Sequence, residues 1–133
     1  MLNYDDFIWN KYKLGAWLKV NDPATGQPAL RNPYYPSKTG LKYASQDPDS
    51  RDSLYQDASI QALQQRGVKF LSCHTATEEQ ARALVAINHL PQEPEQIVKE
   101  MLAHTNPGVL VVAAMVAAIA LLQAQGHYTY ITI

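Results

Sequence analysis

The sequence predicts an α/β domain, a three-layer sandwich with a mostly parallel sheet, on three observations. From Ser53 onward the elements read helix, strand, helix, helix, strand, helix, strand. That βαβ alternation belongs to a parallel sheet with helices on its faces. The run Val109–Val112 is apolar at consecutive positions, as in a strand covered on both sides. The composition, 47% hydrophobic and 17% charged over 133 residues, supplies a core for one domain.

Each element has a local reason. Phe7, Tyr12, Leu14, Trp17 and Leu18 recur near the 3.6 period, which predicts a helix from about Asp5 to Lys19. Pro23 ends it, because the residue before proline resists the α region. Residues 21–53 carry five of the chain's eight prolines and no period, so they read as a long loop, with Tyr34, Tyr35 and Tyr43 packing it down. Ser53–Gln65 reads as a helix closed by Arg66 and Gly67. Val68–Cys73 reads as a strand. Thr77-Glu78-Glu79-Gln80 is a capping-box pattern that opens a helix to about Asn88. Glu95–His104 is the next helix, 109–112 the next strand, and Met115–Gln125 a helix closed by Gly126. His127–Ile133 is a strand by propensity. Residues 1–133 are thus one domain, with a helix and proline-rich loop over 1–53 and a βα core over 54–133.

Charge and composition exclude several function classes. Net charge is −1, with no basic patch for nucleic acid or an anionic membrane. The longest uncharged apolar run, residues 108–122, is shorter than the roughly 20 residues of a spanning helix. A single cysteine rules out an internal disulfide and a multi-cysteine metal site. His74, His104 and His127 lack ligand spacing, so no metal is expected. No glycine-rich phosphate loop is present, so no cofactor is expected either. The N-terminus has no basic stretch followed by an apolar one. On that ground the chain reads as cytoplasmic, or as periplasmic if it is a mature or shortened form.

Three stretches resemble the DsrE/DsrF-like family of small α/β sulfur-relay proteins: Arg66–Cys73, Pro107–Val112 and Leu121–Ile131. Trp9–Gly15 and Asn21–Tyr35 are similar to a less characterised, often exported branch of that family. The resemblance implies a flavodoxin-like layering and a homo-oligomer, with a sulfur-carrier protein as partner. The family usually begins with a further β-α-β unit, so this chain looks N-terminally shortened. Missing strands would leave a sheet edge for a partner subunit or the long loop to cover.

Cys73 is the leading candidate for chemistry. It closes a parallel strand just before a helix, the place where open α/β sheets bind ligands. A helix N-terminus and His74 both favour a thiolate. The resemblance implies that Cys73 accepts sulfane sulfur as a persulfide. The plainer alternative is a small buried hydrophobe. His74 is a candidate to activate Cys73, although neighbouring strand residues point to opposite faces. Thr75 and Thr77 suit either a helix cap or an anion at the helix start. Arg31, Asn32, Tyr34 and Tyr35 are candidates for a substrate wall over the crevice, or else loop packing. The alternative to sulfur relay is a non-catalytic binding or assembly module on the same fold. Two consequences complete the expectations. Val111→Asp should unfold the chain, because strand 109–112 is central and helix 115–125 is buried. The aromatics Phe7, Trp9, Tyr12 and Trp17 exceed what the chain can bury, so it self-associates.

Overall fold

The computed structural model describes residues 1–22, 25–35 and 59–131. Among them the chain is a mixed α/β structure with a small parallel sheet. The elements are α1 (Asp6–Lys11), α2 (Leu14–Leu18), α3 (Ile60–Gln65), β1 (Phe70–Cys73), α4 (His74–Asn88), α5 (Pro94–Ala103), β2 (Val109–Val112) and α6 (Met115–Gly126). β1 and β2 pair in parallel, Phe70 with Val109 through Cys73 with Val112. Tyr43 and residues 53–58 of the expected second helix lie outside the described residues.

The first helix is two helices. Lys13 sits at φ 52°, in the left-handed region, and separates α1 from α2. The break lets Gly15 meet Ala29, where an added Cβ would lie 2.1 Å from the Ala29 carbonyl oxygen. Only glycine allows that approach. Ala29 N–H donates to Val20 O, and an isolated antiparallel bridge joins Asn21 to Pro28. The start of the proline-rich loop therefore folds back on α2.

α4 begins three residues before its capping-box pattern, and the reason is tertiary. Thr75 N–H and Oγ1 both donate to Ala113 O, at 3.3 and 3.0 Å. The turn after β2 thus satisfies a first-turn amide that a side chain would otherwise cap. Thr77, freed from that duty, turns its hydroxyl back to Cys73 O at 3.0 Å.

The core lies where the sequence did not put it. Tyr4, Ile8, Trp9, Tyr12, Leu14 and Ala29 pack with Ala81 and Leu84 of α4 and Ile97, Val98 and Met101 of α5. Trp9 and Tyr12 of the aromatic first helix are therefore core, Trp17 packs against it and Phe7 is exposed. Three bulky aromatics and the paired amphipathic helices α4 and α5 bury more apolar area together than the small alanines of α6 could. By contrast, α6 buries none of its residues. β2 is half-buried at Val109 and Val112 and exposed at Leu110 and Val111. The expectation that β2 is central and α6 enclosed is thus corrected. Val111→Asp would place its charge in water, so it would not unfold the chain. The expected strand at 127–133 is also absent over residues 127–131, which have no strand partner. Instead His127 at φ 56° caps α6, and Tyr128 N–H donates to Leu122 O in a Schellman-type closure.

Polar contacts fix the N-terminal segment. Buried Asn32 donates its amide to Leu2 O and Tyr4 O at 2.6 and 2.7 Å, and its backbone N–H donates to Asp6 Oδ1. Asn106 N–H donates to Asn3 O, and Asn3 Nδ2 donates to Leu71 O of β1. A clasp ties α1 to α5. Lys11 Nζ lies 2.6 Å from Glu100 Oε1, and Tyr12 Oη donates to Glu100 Oε2. His104 Nδ1 lies 2.8 Å from Asp5 Oδ2 while Phe7 stacks on the His104 ring. Burial, followed by the hydrogen bond and charge of Glu100, raises the Tyr12 hydroxyl. Burial pushes Glu100 upward, but Lys11, Tyr12 and His104 together outweigh it and hold its carboxyl below the usual range. Among the described residues no helix is long and apolar enough to cross a membrane.

Candidate functional site

Cys73 is the last residue of β1 and the N-cap of α4, with extended backbone (φ −90°, ψ 120°). It is a free, half-buried cysteine, and it makes no side-chain cap to the helix. Its sulfur is thus not committed to holding α4 in place. The partner strand ends opposite it at Val112, and the turn at Ala113 closes over the first turn of α4 through Thr75. Two helices, α4 and α6, start at this end of the parallel sheet. Their N-termini concentrate partial positive charge there.

The backbone of Cys73 is anchored by a hydrogen-bond relay. Thr77 Oγ1 spends its hydrogen on Cys73 O, so the 2.7 Å contact between Tyr4 Oη and Thr77 Oγ1 must be donated by Tyr4. Tyr4 and Thr77 are both buried. Burial raises the Tyr4 hydroxyl above its ordinary value, hydrogen bonds to Thr77 and Ser72 work against that, and charge on Cys73 adds to the rise. Sequence reasoning missed Tyr4: no spacing links positions 4 and 77, which only the docking of the N-terminal segment brings together.

The other candidates scatter. Thr75 and Thr77 are both at the site, but their hydroxyls are occupied by Ala113 and by Cys73 and Tyr4. His74 points one turn along α4, where its Nδ1 lies 3.3 Å from Glu78 Oε1. Together with Arg82, Pro94, Glu95 and Val98 these two line a groove between α4 and α5 of about 260 Å³. Tyr34 lines a different cavity, of about 440 Å³, with Met1, Leu2, Asn3, Ile60, Leu63 and Phe70. Phe70 opens β1, so that cavity sits toward the opposite end of the strand from Cys73. Asn32 is buried in the N-terminal pin, Tyr35 is half-buried and Arg31 is exposed. No group of three or more His, Cys, Asp or Glu suited to a metal occurs among the described residues.

The arrangement can present one partly accessible sulfur at the positive end of two helices, on a backbone held from behind by Thr77 and Tyr4. Comparison of the chain with protein-family models, with curated proteins and with solved structures gave no match.

Proposed function

We propose that this chain binds and relays sulfur as a persulfide on Cys73, in the manner of the DsrE-like proteins it resembles, on a three-layer, flavodoxin-like sheet. One observation carries the reading: Cys73 ends a parallel strand and abuts the 15-residue helix α4 without capping it through its side chain. The N-terminus of a helix attracts negative charge. In the reaction the Cys73 thiolate attacks the outer sulfur of a donor persulfide, R–S–SH. A sulfur–sulfur bond forms at Cys73 as that of the donor breaks, and the donor leaves as its thiolate. Passage to an acceptor thiol is the same exchange run onward, with no net oxidation. A sulfur-carrier protein would serve as donor or acceptor.

Thiol alkylation of the folded protein tests the claim. Cys73 should react with a small alkylating reagent in the native protein, since it is half-buried and its side chain does not cap α4. A reaction that appears only in denaturant would defeat it.

The rival reading is an assembly module without chemistry at Cys73. The uncharged, exposed surface of β2 and α6 favours it. A slow thiol in a protein that self-associates would decide for this rival.

A further inference from the structure

The groove of about 260 Å³ between α4 and α5 has a chemistry of its own, and Cys73 does not line it. His74, Glu78 and Arg82 follow one another at four-residue intervals along α4, so they form one stripe on that helix. Pro94, Glu95 and Val98 of α5 supply the facing wall. Val98 is buried and belongs to the core, so with Pro94 it gives the groove an apolar floor.

The charges of this groove are matched at one place and unmatched at another. His74 Nδ1 lies 3.3 Å from Glu78 Oε1, so these two side chains occupy each other. Arg82 and Glu95 carry opposite charges on the two walls, yet neither side chain has an ion-pair or hydrogen-bond partner among the described residues. They leave a guanidinium and a carboxylate apart from one another over an apolar floor. A ligand of a single charge would satisfy one of them and bring a like charge to the other. A ligand with both a carboxylate and an ammonium satisfies the two together. The planar guanidinium of Arg82 can donate two parallel N–H bonds to a carboxylate, and Glu95 can accept from an ammonium.

We propose that this groove binds a free α-amino acid with a small aliphatic side chain, its carboxylate on Arg82, its ammonium on Glu95 and its side chain over Pro94 and Val98. Charge complementarity argues for the zwitterion, and size argues for so small a ligand. The groove, at about 260 Å³, falls below the roughly 300–1,000 Å³ of sites for drug-sized molecules. The inference is independent of the chemistry proposed for Cys73, since Arg82 lies about two helical turns beyond His74.

Titration of the isotope-labelled chain with L-valine, followed by amide chemical shifts, tests it. Shifts along α4 and α5 should saturate with a Kd of about 1 mM or tighter. Isovalerate, which lacks the ammonium, and valinamide, which lacks the carboxylate, should each bind about tenfold more weakly. Arg82→Gln and Glu95→Gln should each weaken L-valine about tenfold, with an unchanged circular dichroism spectrum. Both side chains are exposed and hold no polar partner among the described residues, so either variant folds. No saturable shift up to about 10 mM L-valine, isovalerate or valinamide binding as tightly as L-valine, or a Kd that either variant leaves unchanged would overturn the inference.

Discussion

Tyr4, Thr77 and Cys73 form a chain of donors and acceptors. Thr77 is the centre, since it both accepts from Tyr4 and donates to Cys73 O. Thr77→Val should therefore cost about 1–3 kcal/mol, because it removes both the donor to Cys73 O and the acceptor of the buried Tyr4 hydroxyl. Tyr4→Phe removes the terminal donor only and should cost about 1 kcal/mol. Urea denaturation of both variants checks the order; equal costs would deny the relay. Glu100 gives a pH dependence of definite sign. Its folded carboxyl titrates below the ordinary value of 4.5, so the unfolded chain takes up a proton first on acidification. Its stabilisation is complete above that pH and is lost as pH falls through the folded value. Glu100→Gln should flatten the acid limb of a stability–pH profile, and an unchanged limb would contradict the clasp. The position of Cys73 was legible in the sequence, since an apolar strand followed by helix formers marks it. The roles of Tyr4 and Asn32 were not, since both act through contacts distant along the chain.

At the scale of elements, α5 and the two paired strands follow from local signals: proline at the start of the helix, β-branched residues in β2, glycine before each strand. Boundaries moved where a tertiary contact replaced a local one. Ala113 took over the capping of α4, and Ala29 required the chain to break at Lys13 so that Gly15 could approach it. Gly15→Ala should accordingly cost about 3 kcal/mol, because the Cβ would collide with backbone rather than with a movable side chain. A thermal melt near that of the wild type would show that α2 and Ala29 are not so closely packed. Strand propensity at 127–131 failed for a different reason. A strand forms only against a neighbour's ladder, and there the chain instead wraps back at Tyr128 to close α6.

The whole molecule is lopsided: aromatics and paired helices make a core around α1, α4 and α5, while β2 and α6 stand largely open. Hydropathy alone pointed the other way, because an uninterrupted apolar run reads as interior whether or not anything in the same chain covers it. Trp9→Ala should cost about 3–5 kcal/mol, whereas Val111→Asp should cost about 1 kcal/mol or less. Chemical denaturation of the two at a concentration that keeps the chain monomeric checks the contrast, and a reversed order would move the core to the sheet.

Intact-mass spectrometry after exposure to a low-molecular-weight persulfide tests the proposed chemistry most directly. The wild type should gain the mass of one sulfur, Cys73→Ser should gain none, and a small thiol should remove the added sulfur as its own persulfide. A native, folded wild-type protein that takes up no sulfur, or takes it up equally when Cys73 is serine, would contradict sulfur relay on this residue.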